Sequence, residues 1–244
     1  MKAQQNGPKQ CACDPSVNVY IADDFNHAIR KFAPKAKRLT SVLGKGVVKI
    51  RRAHGVCVHE GYLYVTDSYP AVATDPGLVW RYGAAGTFEV WARSDLLAPD
   101  PVIDPFPFPG PGANGIAFEP PNHVYVANNE KSLILHIPVL PDGSAGEVEV
   151  VAGSWPPAGP PGLLFAPDGL SVDNEGNLYS VCPPAGLAPF PLSPVIKIDP
   201  GTGQVESVIG PYVGPSPLFD FPTSLAFGTG SRDRKSLFVV NPTS

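Results

Sequence analysis

Two short apolar runs separated by a polar turn recur five times along the chain. Short apolar runs bounded by turn residues predict strands, and no window has the sustained period of an apolar helix face. The repeats begin at Lys9, His54, Asn114, Asp168 and Thr223, which are 45, 60, 54 and 55 residues apart. This period is typical of propeller blades, each of which must stack on its neighbours to bury its faces. We therefore predict an all-β propeller that forms a single domain over residues 1–244.

The fifth repeat ends after its second apolar run. Six blades of this size need about 300 residues, and the chain has 244. We expect a propeller of the six-bladed type that is incomplete or open, with about four and a half blades. An open ring leaves a sheet edge unprotected, so we also expect a homo-oligomer in which a second copy covers that edge.

Composition narrows the possible partners and the compartment. The net charge is −4, which argues against nucleic acid because phosphate binding needs a basic face. The first residues lack the apolar core of a signal peptide, and no apolar run is long enough to cross a bilayer. We expect a cytoplasmic protein that binds neither nucleic acid nor membrane.

The four cysteines are Cys11, Cys13, Cys57 and Cys182. A Cys-x-Cys pair resembles half a metal site, but no matching Cys or His pair follows at the spacing of a zinc site. Free thiols within strands usually pack as small buried hydrophobic groups. We therefore expect four reduced thiols with a structural role.

The first residue of each repeat opens an innermost strand and should lie at the wall of the central channel. His54, Asn114 and Asp168 come from consecutive repeats, and each precedes a glycine that permits close backbone approach. A carboxylate and an amide oxygen directed at one axis are ligands that a hard cation prefers. Taken singly, Asn-Gly and Asp-Gly are also ordinary turns leading into strands, but their recurrence at one repeat position favours a site.

Five long connections lie on the same end of the predicted propeller as these residues. They are rich in proline, which stiffens a loop, and they carry large apolar side chains. These are Phe106, Phe108, Trp155, Leu163, Leu164, Phe165, Leu187, Phe190 and Leu218. Such loops either cover the sheet ends or build a pocket, and their convergence on one end favours a pocket with an apolar rim.

Two motif blocks resemble the gluconolactonase/regucalcin family. They are Asn114-Gly-Ile-Ala-Phe-Glu-Pro with the following Val-Tyr-Val-Ala-Asn-Asn, and Ala166-Pro-Asp-Gly-Leu-Ser-Val-Asp-Asn-Glu-Gly-Asn-Leu-Tyr. The first repeat is more similar to the NHL repeat, a related propeller signature. The resemblance implies a six-bladed propeller with one divalent metal on its axis that hydrolyses lactones, with Asn114 and Asp168 as metal ligands. The family's glutamate ligand is missing, since Lys9 holds its position, and His54 replaces a further asparagine.

These observations predict a metal-dependent lactonase whose cofactor is a divalent cation, calcium in preference to zinc. Asn114, Asp168 and Asn129 are the predicted metal ligands, and Asp168 and His54 are the predicted catalytic residues. The apolar rim favours a lipophilic lactone, such as an acyl-homoserine lactone, over a sugar lactone. The alternative is a non-catalytic NHL-like propeller that binds a protein or peptide, because propellers host both classes of function.

Overall fold

The computed structural model describes residues 5–43, 50–68, 76–83, 86–100, 111–155, 162–183, 193–211, 219, 222–228 and 232–241. Strands in these ranges form four antiparallel sheets of four strands each and one sheet of two strands. Each sheet is built from strands that follow one another along the chain, which is the organisation of propeller blades.

The blades are numbered in chain order. Blade 1 consists of β1 (Pro8–Cys13), β2 (Val19–Asp23), β3 (Ala28–Ala33) and β4 (Arg38–Leu43). Blade 2 consists of β5 (Ala53–His59), β6 (Tyr62–Asp67), β7 (Gly77–Tyr82) and β8 (Phe88–Ser94). Blade 3 consists of β9 (Ala113–Glu119), β10 (His123–Asn128), β11 (Leu133–Pro138) and β12 (Glu149–Ala152). Blade 4 consists of β13 (Leu170–Val172), β14 (Leu178–Val181), β15 (Val195–Ile198) and β16 (Val205–Ile209). Blade 5 consists of β17 (Ser224–Phe227) and β18 (Leu237–Val240).

Hydrophobic cores lie between successive blades. Ile29 of blade 1 packs with Val56 of blade 2 in the first core, and Tyr64 of blade 2 packs with Ile116 of blade 3 in the second. The same stacking continues from blade 3 to blade 4 and from blade 4 to blade 5. Each blade therefore buries its apolar faces against its neighbours, as the repeat predicts.

The first strand of each blade is innermost, because β1, β5, β9, β13 and β17 contact one another in that order. Glycine permits this close packing at the points where two of these strands meet. A Cβ atom on Gly115 would overlap the Asp168 carbonyl oxygen, and one on Gly169 would lie 2.6 Å from the Ser224 Cα. The Gly115 amide donates a 3.0 Å hydrogen bond to that Asp168 oxygen. The glycine in each X-Gly pair thus lacks the side chain that would keep its strand from packing closely against the next blade.

The all-β prediction is confirmed, and the described residues contain the predicted four complete blades followed by a two-stranded one. Helix in the described part of the chain consists of two single turns of 3-10 helix, Asp24–Asn26 and Asp95–Leu97, and one further residue in 3-10 conformation, Pro183. None of the helices in the described ranges has the length and apolar character needed to cross a bilayer.

The expectation for the cysteines was half right. All four are free thiols, Cys57 is buried as expected of a thiol within a strand, and Cys182 is buried as well. Cys11 and Cys13 are exposed instead, because both point to the face of β1 that lies away from the core shared with blade 2. Ala12, which lies between them, packs towards that core.

Candidate active site

The three axial residues predicted from the repeat meet in the structure. His54 and Asn114 are each the second residue of an innermost strand, and their side chains are 5% and 3% exposed. The His54 Nδ1 lies 3.2 Å from the Asn114 Oδ1. The Asn114 amide in turn donates a hydrogen bond to the Asp168 carboxylate. Side chains from blades 2, 3 and 4 therefore form one connected polar group at the axis.

Asp168 is a carboxylate with an altered proton affinity. Burial raises its pKa to about 6, although the positive charges of His54 and Lys9 and the hydrogen bond from Asn114 act in the opposite direction. The residue as a whole keeps a partly exposed surface. A carboxylate with a pKa near 6 is ionised at neutral pH and is a stronger base than an ordinary aspartate, which suits it to accept a proton.

Lys9 of β1 lies close enough to Asp168 to lower the pKa of that carboxyl. It therefore takes part in the axial electrostatics from the position where the resemblance implies a glutamate. The side chain of the next residue, Gln10, crosses to blade 3, where its Nε2 donates to the Ile116 carbonyl at 2.7 Å and its Oε1 accepts from the Ile116 amide at 3.0 Å. Blade 1 thus contacts blade 3 directly through Gln10.

Asp24 is an axial residue that sequence reasoning missed. Its side chain is fully buried, and its Oδ2 lies 3.2 Å from the His54 Nε2. Arg52 also binds this carboxylate through two hydrogen bonds. Its Nη2 donates to Oδ2 at 2.7 Å, and its Nε donates to Oδ1. Burial alone would raise the pKa of Asp24, but the hydrogen bonds and charges of Arg52 and His54 lower it to about 2. Blade 1 therefore does supply a carboxylate near the axis.

A repeated arrangement at the ends of the second strands explains where Asp24 comes from. The last residue of each such strand binds the segment that leads into its own blade. Asp23 accepts from the Asn6 amide, Asp67 accepts from the Arg52 amide, and the Asn128 amide donates to the Ala98 carbonyl. The residue after it reaches the next blade instead. The position directly after the second strand could therefore have identified Asp24 from the sequence. Asn129, a predicted ligand, holds this position in blade 3, and Asp24 holds it in blade 1.

Asn129, the third predicted metal ligand, follows this arrangement. Its amide nitrogen donates to the Ala166 carbonyl at 2.9 Å and to the Pro167 carbonyl at 3.3 Å. It therefore ties blade 3 to the segment immediately before Asp168. These contacts place it beside the axial group through the backbone, and its role as a metal ligand stays a prediction.

The donors fit a hard cation in chemical kind. Among the described residues no group of three His, Cys, Asp or Glu side chains is placed to hold a metal ion, so a cation would depend on amide oxygens besides Asp168. Carboxylate and amide oxygens are the ligands that calcium prefers. The desolvation that raises the pKa of Asp168 is a cost that a neighbouring cation offsets. Asn114, Asp168 and Asn129 are the residues that would hold it.

The apolar rim is described only in part. Trp155, Leu163 and Phe165 are partly exposed, whereas Leu164 is buried in the core between blades 3 and 4. Leu164 is therefore a core residue and does not belong to the rim. The remaining rim residues lie outside the described residues, namely Phe106, Phe108, Leu187, Phe190 and Leu218.

Comparison with known proteins gives a likeness of fold. No protein-family model matches the chain, and no curated protein matches it. A gluconolactonase from Xanthomonas campestris superposes with a TM-score of 0.65 at 19% identity, covering 96% of this chain and 69% of its own. A second protein, described as a gluconolactonase, gives a TM-score of 0.64 at 15% identity over 96% of this chain and 71% of its own.

A streptogramin B lyase gives a TM-score of 0.59 at 15% identity, covering 99% of this chain and 64% of its own. This chain thus spans roughly two thirds of the length of these neighbours. Their different activities show that the shared architecture does not by itself select a chemistry. The chain has the fold of the gluconolactonase-like β-propellers.

Proposed function

We propose that the axial group of His54, Asn114 and Asp168 is the active site of a lactonase, a hydrolase that opens a lactone ring. One observation carries the proposal. Side chains from three consecutive blades join around a desolvated carboxylate whose pKa is raised to about 6. Neighbours of the same fold include gluconolactonases, which makes lactones the first substrates to test.

The proposed reaction is attack of water on the lactone carbonyl. Asp168 accepts a proton from the attacking water, the bond between the carbonyl carbon and the ring oxygen breaks, and Asp168 returns the proton to the leaving ring oxygen, which yields a hydroxy acid. His54 assists by holding the Asn114 side chain, which in turn donates to Asp168. Proton acceptance by a positioned carboxylate contributes about 10²- to 10⁴-fold to such reactions.

We further propose that the site uses a divalent cation, calcium in preference to zinc, held by Asn114, Asp168 and Asn129. When bound, the cation supplies Lewis-acid polarisation of the lactone carbonyl. The oxygen chemistry of the donors and the desolvation of Asp168 support this proposal. Melting temperatures after chelator treatment and after addition of calcium or zinc test it, because a ligand that binds the folded state raises the melting temperature.

The proposed substrate is a lipophilic lactone such as an acyl-homoserine lactone. Trp155, Leu163 and Phe165 support this choice as partly exposed apolar side chains of the long loops. A sugar lactone would need a ring of polar partners for its hydroxyl groups, and the loop sequences offer mainly proline and apolar residues.

The test is hydrolysis of a panel of long-chain acyl, short-chain acyl and sugar lactones. The rate is measured from the acid that each reaction releases at constant pH. We expect hydrolysis that is fastest for the long-chain acyl lactones. Preference for the sugar lactone would reject the substrate assignment while leaving the lactonase proposal intact. Failure to hydrolyse any lactone, with or without added calcium or zinc, would reject the lactonase proposal itself.

One observation favours the second candidate function, a non-catalytic propeller that binds a protein. Phe238 and Val240 of β18 are each 56% exposed on one face of the two-stranded blade 5. An exposed strand with apolar side chains is a place where another chain adds a strand or packs a face. The predicted second copy of the chain is the partner to test, by measuring molar mass in solution for the wild type and for Phe238→Ser.

A further inference from the structure

We infer that Asp24 is a positioning residue of the axial site: its buried carboxylate holds the His54 imidazole in the orientation that brings His54 against Asn114. This inference rests on the proposed function for its catalytic consequence, but the geometric part stands independently. Asp24 has no place in the metal-ligand set or in the catalytic pair derived from the sequence.

Both ring nitrogens of His54 face a polar partner. Nε2 lies 3.2 Å from the Asp24 Oδ2, an ion-pair contact outside hydrogen-bond geometry, and Nδ1 lies within hydrogen-bond distance of the Asn114 Oδ1, at 3.2 Å. The His54 side chain is 5% exposed, and the Asp24 side chain is fully buried. Rotation of the ring would break both contacts in a place where water does not replace them, and a buried polar group without a partner is costly. The two contacts together fix the ring.

The Asp24 carboxylate is itself fixed. Arg52 lies directly before β5 and two residues before His54, and both side chains reach the Asp24 carboxylate. The guanidinium contacts both carboxylate oxygens of Asp24, a fork-like geometry that gives strong orientation. The Phe25 ring lies 4.7 Å from the Arg52 guanidinium carbon. The carboxylate that faces His54 therefore has one defined direction.

The equivalent residues of the next two blades make different contacts. Ser68 donates to the Ala113 carbonyl, and Asn129 donates to the Ala166 and Pro167 carbonyls. Both tie their blade to the next one through backbone atoms. Asp24 stands at the same position but contacts two side chains, one of them the predicted catalytic histidine. A residue needed only to join blades would not have to reach the axial imidazole.

The resulting order of contacts runs through four blades. Asp24 of blade 1 holds His54 of blade 2, His54 contacts Asn114 of blade 3, and Asn114 donates to Asp168 of blade 4. Partners that orient a functional group through hydrogen bonds typically change activity by about 10- to 100-fold when they are removed. Asp24 acts on the reaction through His54 and does not touch the reacting atoms.

The test is Asp24→Asn in the full chain, with Ser68→Ala as the matched control that removes the equivalent tie between blades 2 and 3. Two quantities are measured, namely kcat and KM for the most rapidly hydrolysed lactone and the ring-nitrogen NMR signals of His54, assigned by their loss in His54→Gln. We expect Asp24→Asn to lower kcat by about 10- to 100-fold with KM within about 2-fold and to shift the His54 signals. Ser68→Ala should leave both unchanged.

A merely structural Asp24 would give a different pattern. Asp24→Asn and Ser68→Ala would then lower the melting temperature alike, and neither would alter kcat or the His54 signals, which would overturn the inference. If Asp24→Asn does not fold, Asp24→Glu keeps the charge but displaces the carboxylate, and the same shift of the His54 signals is expected. Absence of any lactone hydrolysis by the wild type would defeat the proposed function alone, because the NMR comparison still decides whether Asp24 holds His54.

Discussion

The His54 Nδ1 and the Asn114 Oδ1 lie 3.2 Å apart although 60 residues separate them along the chain. Their contact crosses from blade 2 to blade 3 at the axis, and Asn114 extends it to Asp168 of blade 4. The candidate site is therefore a product of blade stacking, and substitutions at the axis should affect stability and turnover in separable ways.

Asn114→Ala removes the central link of this group. It leaves the His54 Nδ1 and the Asp168 carboxylate each without a buried hydrogen bond, which costs about 1–3 kcal/mol of unfolding free energy. We expect that loss in chemical denaturation, together with loss of lactone turnover. The control is Asn122→Ala, an exposed residue in the turn between β9 and β10, which should change neither quantity. Full turnover by Asn114→Ala would show that the link is not needed for the reaction.

Asp168→Asn should stabilise the cation-free protein while abolishing turnover. Because burial raises the pKa of Asp168 to about 6, the folded state holds a proton that the unfolded state releases near its ordinary pKa of about 3.9. The contribution of Asp168 to stability is therefore most favourable below about pH 4 and declines as the pH rises to about 6. At pH 7.5 with chelator, Asp168→Asn should gain roughly 1–3 kcal/mol.

That gain in unfolding free energy should disappear at pH 4, because the folded wild type and the folded Asp168→Asn variant are then both neutral at residue 168. Urea denaturation at the two pH values measures the difference. A destabilised Asp168→Asn at pH 7.5 would contradict the assignment of Asp168 as a desolvated carboxylate.

Asp24 should show the opposite dependence on pH. The hydrogen bonds of Arg52 and His54 outweigh burial and lower its pKa to about 2, so the ionised carboxylate stabilises the folded state above about pH 4. This contribution is lost as the pH falls through about 2. Asp24→Asn should therefore lower the unfolding free energy at pH 7 by roughly 2 kcal/mol, and the difference from the wild type should shrink towards pH 2. An equal deficit at both pH values would mean that charge is not the cause.

Gly115→Ala tests the close contact between the innermost strands of blades 3 and 4. The added Cβ would overlap the Asp168 carbonyl oxygen, and relieving that overlap requires the strands to separate. Overpacking of this kind costs about 1–3 kcal/mol, which a lowered midpoint of denaturation would report. Gly162→Ala is the control, because no atom lies within 4 Å of a Cβ at that glycine. A neutral Gly115→Ala would show that the contact is loose.

The sequence period predicted most of the fold and the core of the site. The two apolar runs of each repeat form two paired strands of one blade, such as β9 and β10, because strand patterns are local. The repeat also predicts three residues of the candidate site, because each opens one repeat, namely His54, Asn114 and Asp168. Blade stacking then brings together residues that share a repeat position, so their convergence was predictable.

Asp24 and Leu164 were not identified correctly, for a physical reason that they share. Asp24 contacts Arg52, 28 residues away, from a single turn of 3-10 helix that interrupts the strand pattern. Leu164 sits in a proline-rich loop, yet it packs into the core between blades 3 and 4. In both cases the side chain's partner is set by how a connection folds back onto the next blade, and no local period records that.

The most direct test of the central claim is the rate at which Asp168→Asn opens a lactone relative to the wild type, in the presence of calcium and at a temperature where both are folded. Asp142→Asn, an exposed aspartate in the hairpin between β11 and β12, is the matched control. The account predicts that Asp168→Asn loses turnover by at least about 100-fold, while Asp142→Asn retains the wild-type rate. Wild-type turnover by Asp168→Asn would contradict the assignment of the axial group as the active site.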